Sequence, residues 1–142
     1  MIELKKVVIY IMLASSFKSN HHSPIYRKAM EIFHLARHIS TYISYDLAPL
    51  QRNGQEDPNI YFSGDIVQQS ISLGPNILMA ESQSFQDEKH KYATSVMQLS
   101  NRLYKSCMHL QKTHSNGKDF LPIMIQELRK FRKLQNTWRL TL

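Results

Sequence analysis

The sequence predicts an all-α fold: an antiparallel, up-down four-helix bundle over residues 24–142, preceded by a flexible or β-prone N-terminal extension over residues 1–23. Three observations predict it. Four segments carry apolar residues at the spacing of one helix face. Polar, turn-forming stretches join them, and short connections make successive helices antiparallel neighbours. Only 4 Gly and 5 Pro occur in the chain, too few for the tight turns of an all-β fold, and no strand-length alternation follows residue 20.

The first predicted helix opens at Pro24, which suits a first turn, with Ser23 as its N-cap. Ile25, Ala29, Ile32, Phe33, Ala36, Ile39 and Ile43 form its apolar face, and Pro49 stops it after about Leu47. A polar loop, residues 51–59 (QRNGQEDPN), follows with Asn-Gly and Asp-Pro turn signals. The second helix runs from about Ile60 or Tyr61 to Glu81, with Ile66, Val67, Ser70, Ile71, Gly74, Ile77 and Leu78 facing inward. Pro75 within it removes one backbone hydrogen bond and clashes with the carbonyl of Ile71, so a kink is expected there, with a break into two helices as the alternative. Ser84 is placed to cap the third helix, whose stripe is Tyr92, Ala93, Val96, Leu99, Leu103, Cys107 and Leu110. After an Asn116-Gly117 turn, the fourth helix spans about Asp119 to Arg139, with Phe120, Ile123, Met124, Leu128, Phe131, Leu134 and Trp138 on one face.

The extension holds the longest apolar run, residues 7–14 (VVIYIMLA), after Lys5 and Lys6. It falls well short of the roughly 20 residues that span a bilayer. It mimics a short signal-peptide core, but Glu3 lies in the charged region and no A-x-A site follows. A β-prone arm, or an extension read from an early start codon, fits better. Cys107 is the sole cysteine, which excludes a disulfide framework and a Cys-based zinc site within one chain. The expected location is the cytoplasm, with no membrane partner.

Charge supplies the strongest functional signal. The net charge of +7 favours an anionic partner, nucleic acid first and an acidic protein or membrane surface behind it. Residues 112–142 carry seven Lys/Arg against Asp119 and Glu127, net +5, whereas residues 61–84 carry Asp65 and Glu81 with no cation, net −2. Leu128, Phe131, Leu134 and Trp138 hold the inward face of the fourth helix, so Arg129, Lys130, Arg132, Lys133 and Arg139 point largely outward. Such a stripe can neutralise several phosphates. Arg27, Lys28 and Arg37 on the first helix, and Lys89, Lys91, Arg102 and Lys105 on the third, broaden the surface. Nothing resembles a base-reading motif, so binding through the phosphate backbone with weak sequence preference is expected. The bland alternative is a solvated cationic face.

Catalytic and metal readings fare worse. His34 and His38 stand at i, i+4, which places both imidazoles on one face, but no third ligand accompanies them and Arg37 repels a cation. Cys107 lies on an apolar face and reads as core. Asp65 and Glu81 are about 24 Å apart along a helix, too far to share a substrate. No phosphate-cradling glycine loop, Walker lysine or G-x-S-x-G elbow is present. The chain therefore reads as non-catalytic, with no cofactor and no metal.

The stretch Ser70-Ile71-Ser72-Leu73-Gly74-Pro75-Asn76-Ile77, continuing to Ala80-Glu81, resembles the S-I-G-x-N-I-A-E signature of a bacterial four-helix-bundle family. That family includes proteins encoded in intervening sequences of large-subunit ribosomal RNA genes and the accessory variability determinants of diversity-generating retroelements. The likeness covers about Tyr26 to Trp138, with Ser72, Gly74, Asn76, Ile77 and Glu81 as the matching positions. Met79 stands where the family usually has Glu, and the third helix, where the family tends toward acidic residues and a Trp-Leu pair, here has Asn101-Arg102 and Cys107-Met108. The resemblance implies a homopentamer without enzymatic activity. In the retroelement branch it further implies a reverse transcriptase and its template RNA as partners. A protein-interaction scaffold without nucleic-acid binding is the competing expectation.

Overall fold

The computed structural model describes residues 22–142. The apolar run at residues 7–14 and most of the expected extension lie outside the described residues. Helix α1 (Pro24–Asp46) has Pro24 in its first turn and buries every apolar residue that its periodicity selects, with Tyr26 in addition. Ser23 occupies the N-cap position, yet its hydroxyl does not cap α1. It donates instead to Glu81 Oε1 at 3.4 Å, tying the start of α1 to the end of the second rod.

That rod comprises α2 (Asn59–Ile71) and α3 (Leu73–Ser82), separated by one residue, Ser72, whose backbone stays in the right-handed helical region (φ −79°, ψ −15°). Pro75 has no N–H to give to the carbonyl of Ile71, which is why the regular ladder lapses there. Side chains add second hydrogen bonds to the carbonyls beside the gap. Ser72 Oγ donates to the carbonyl of Gln68 at 2.9 Å, and Asn76 Nδ2 donates to the carbonyl of Ser72 at 2.8 Å. Gly74 lies against the aromatic ring of Tyr26: a Cβ there would stand 3.2 Å from Tyr26 Cε2. The inward face advances through Ile66, Ser70, Leu73, Ile77 and Ala80. Ile71 falls one residue off that stripe and is 51% exposed, contrary to its expected inward place.

Helix α4 (Gln86–Leu110) starts later than a Ser84 cap would require. Phe85 takes the N-cap position and no side chain caps the helix, while Asp87 and Glu88 in the first turn face the positive end of its dipole. The chain then passes through a 3-10 turn (Asn116–Phe120) into α5 (Leu121–Thr141). Asp119 and Phe120 thus belong to the turn, and Pro122 lies in the first helical turn. On α5 the core stripe is Leu121, Met124, Ile125, Leu128, Phe131, Gln135 and Trp138; Ile123 lies off it and is 50% exposed, a second correction to the expected face.

Successive rods pack against one another along the chain, and α1 closes the ring by packing on α5, which is the up-down four-helix bundle. Among the described residues there is no strand. The α4–α5 turn is clamped by Asp46 at the end of α1. Its Oδ2 accepts from Ser115 Oγ at 2.7 Å and from the Asn116 N–H at 3.1 Å, and Ser115 Oγ accepts from the Gly117 N–H at 3.0 Å. A carboxylate at a helix C-terminus opposes the dipole; here the donors of the turn offset that penalty.

Two glycines give opposite expectations. A Cβ at Gly117 would meet Ile43 Cγ1 at 2.9 Å and Tyr42 Cβ at 3.0 Å, neither of them able to swing away, whereas a Cβ at Gly64 on α2 meets nothing within 4 Å. Gly117→Ala should lower stability by about 1–3 kcal/mol through overpacking. Gly64→Ala should raise it by up to about 1 kcal/mol through helix propensity. Urea unfolding monitored by circular dichroism reads both signs.

Candidate nucleic-acid interface

The fold distributes the twelve predicted cations unequally. On the α1–α5 seam, Lys28 Nζ lies 2.7 Å from Glu127 Oε2 and 2.6 Å from Glu31 Oε2, and Lys130 Nζ lies 3.1 Å from Glu127 Oε1. Lys28 is thereby removed from the anion-seeking set: its side chain is 18% exposed and both its neighbours are carboxylates. The Glu127 side chain, hydrogen-bonded by Lys28 and then Lys130, titrates below the usual carboxylate range, despite a partial burial that pulls the other way. Lys28 is correspondingly pushed up by Glu127 and Glu31.

The opposite flank of α5 has a different character. Arg132 Nη2 donates to Asn101 Oδ1 on α4 at 3.3 Å, and its guanidinium lies 5.3 Å from the centroid of the Tyr104 ring. Arg139 Nη1 approaches Met97 Sδ at 3.8 Å. Arg129, Lys130, Arg132, Lys133 and Arg139 are all exposed, and among the described residues only Lys130 of these five joins an ion pair. Arg129 stands at i, i+4 to Lys133 and at i, i+3 to Arg132, arrangements of like charge that cost a few tenths of a kcal/mol each in water. A polyanion laid across them would reverse that sign.

The remaining cations are dispersed. Arg102 and Lys105 are exposed on α4, and Lys89 and Lys91 lie in its first turns, Lys91 with its ammonium 6.0 Å from the Tyr92 ring centroid. Arg27 is exposed near the start of α1, and Arg37 is half-buried, 5.7 Å from the Phe33 ring centroid. The structure therefore joins the α5 set to α4 and leaves the α1 set on the other side of Glu127.

Sequence reasoning missed the polar partners on the α4–α5 seam: Asn101, Tyr104, Gln135 and Asn136. One signal was available. Gln135 falls at i+4 from Phe131 and i+7 from Leu128, squarely on the core stripe, and is 3% exposed. Ser100, opposite it, is a second polar residue on a core stripe, and its Oγ lies 3.5 Å from Gln135 Oε1.

The five signature positions have structural work within the rod: Ser72 and Asn76 hydrogen-bond the carbonyls of Gln68 and Ser72 beside the Pro75 gap, Gly74 admits Tyr26, Ile77 is fully buried, and Glu81 accepts from Ser23. Cys107 is buried and its thiol is pushed up to about 12 by desolvation, so it stays protonated at neutral pH and serves as packing. His34 titrates below the ordinary imidazole value because of partial burial and then Arg37. His38 packs edge-on against Tyr42 and Phe120. Among the described residues no group of three or more His, Cys, Asp or Glu side chains could hold a metal ion, and no helix is long and apolar enough to cross a membrane. No family model matches the chain, and no curated protein or solved structure matches it either.

The Glu127 bridge sets a pH dependence. A carboxyl held below its ordinary value contributes stability that is present above that value, near 4.5, and is lost as pH falls through the lowered one. Glu127→Gln should therefore cost about 1 kcal/mol or less at neutral pH, discounted for solvent screening. The difference from the parent protein should close in acid. Urea midpoints at neutral pH and well below the carboxylate range test this, and a pH-independent gap would show that Glu127 acts by packing.

Proposed function

We propose that the chain is a non-catalytic accessory protein that binds nucleic acid, RNA first, by its phosphate backbone. The observation that carries this reading is the cationic flank of α5 beside α4. There Arg129, Arg132, Lys133 and Arg139 lie exposed and form no ion pair among the described residues. A solvated face needs no such segregation of charge, and lone like-charged neighbours at one-turn spacing are unfavourable without an anion. Arg102 and Lys105 on α4 extend the same electrostatic surface. The resemblance to the four-helix-bundle family adds the finer expectations of a homopentamer and a reverse transcriptase as protein partner, and the expected location is the cytoplasm.

A second reading, a protein-interaction scaffold without nucleic-acid binding, draws on the exposed apolar side chains Tyr61, Ile71, Phe85 and Leu140, of which Phe85 is 76% and Leu140 88% exposed. Light scattering after size exclusion, combined with a search for co-purifying nucleic acid, separates the two. A monomer that retains none favours the scaffold.

The direct test replaces Arg129, Lys130, Arg132 and Lys133 by Gln and follows RNA binding through a salt series. Every cation removed from a phosphate should reduce the slope of log K against log salt by roughly 0.7 for a single strand. Unchanged affinity, or a flat salt dependence in the parent protein, removes this surface from consideration.

A further inference from the structure

The α4–α5 seam holds a cleft of about 280 Å³, lined by Met97, Ser100, Asn101, Arg132, Gln135 and Asn136. Three carboxamides and a hydroxyl make an unexpected lining for a surface whose charge alone would serve phosphate. Phosphate offers only acceptors, so the carbonyl ends of carboxamides gain nothing from it. A carboxamide presents a donor pair and an acceptor on one plane, which is the pattern that matches the edges of nucleobases. The volume lies below the ~300–1,000 Å³ that encloses drug-sized ligands and cofactors. It suits one ring system entering from the side.

Two guanidiniums bracket the cleft. Arg132 lines one end, and Arg139 reaches Met97, which lines the other. Seven residues apart on α5, they stand about 10 Å apart along its axis. Arg132 is held in place by Asn101 and Tyr104. Tyr104 lies outside the lining, so its contact with the guanidinium anchors Arg132 from the far side of the cleft's residues without entering it. Asn101 Oδ1 is occupied by Arg132, which leaves its amide N–H pair for a base acceptor.

From this geometry we infer that the cleft receives one unstacked base of single-stranded nucleic acid, its edge on Asn101 and Asn136 and its flanking phosphates on Arg132 and Arg139. The inference rests on the proposed nucleic-acid binding and narrows it. A duplex keeps its bases paired and stacked and cannot offer a ring to the seam.

The test compares three oligonucleotides of equal length by fluorescence anisotropy at fixed salt: a single-stranded RNA, the same strand with abasic positions, and an RNA duplex. Asn101 and Asn136 are exposed, so the double variant Asn101→Ala/Asn136→Ala should fold normally, which its urea midpoint verifies. The parent protein should bind the base-bearing strand about five- to tenfold more tightly than the abasic one, the range expected of a single base contact. The double variant should bind the two alike, with its salt slope unchanged. An abasic strand bound as tightly as the complete one, or a base preference surviving in the variant, overturns the inference. Salt-dependent binding that ignores bases would sink this inference alone, whereas failure to bind any strand at low salt would sink the parent reading with it.

Discussion

The bundle is organised around a single missing backbone hydrogen bond. Pro75 cannot donate to Ile71, and a gap of this kind in a helix interior costs on the order of 3 kcal/mol if left unattended. The chain answers with groups drawn from three places. Ser72 and Asn76 hydrogen-bond the carbonyls on either side of the joint. Gly74, lacking a Cβ, lets the Tyr26 ring of α1 close over the irregular backbone. Ser23 then reaches Glu81, nearly two turns beyond, and links the start of α1 to the end of α3. Because Tyr26 and Ser23 are committed to this joint, the first turn of α1 is fixed by the second rod rather than by its own cap.

Charge is arranged by the same packing. Glu127 faces α1 and is held by Lys28 and Lys130, so the α1–α5 seam is electrically satisfied. Among the described residues no acid plays that part on the α4–α5 seam; Arg132 and Arg139 turn instead to an amide oxygen and a thioether sulfur, neutral acceptors that leave the cationic charge uncompensated. The two flanks of one helix thus carry opposite conditions. A net charge of +7 spread evenly would mean solubility and little more. Its concentration beside α4, with Glu127 neutralising the other flank, is what supports the proposed binding surface over a merely solvated one.

Much of the fold was legible in the sequence because helical periodicity reports burial directly. Every apolar position selected on α1 is buried, and the turn at Asn116-Gly117 falls where its residues place it. The failures have specific causes. Ile71 and Ile123 fit a helical apolar spacing, but each lies one position from the residue that the core takes, Ser70 in one case and Met124 in the other. Ser84 has the chemistry of a cap but precedes the helix by one residue too many, and no local rule fixes that offset. The cationic set was visible in composition. Its division into a neutralised and an uncompensated flank was not, since the Lys28–Glu127 contact joins residues from opposite ends of the bundle domain.

The polar pair Ser100 and Gln135 shows why the seam is where chemistry can enter this interior. Each occupies a position that periodicity reserves for an apolar residue, and each would cost stability unless hydrogen-bonded. Ser100 satisfies itself within α4 by donating to the Met97 carbonyl at 3.1 Å, while its approach to Gln135 is long at 3.5 Å. Two short or amide-bearing side chains in place of a leucine pair also leave room, and the cleft lies over them. A core optimised only for packing would fill that space with apolar side chains, as the α1–α2 contact does with Ile32, Ile39 and Ile66. The seam gives up packing at the one place where the uncompensated arginines of α5 meet α4, and that coincidence ties the polar interruption of the core to the surface above it.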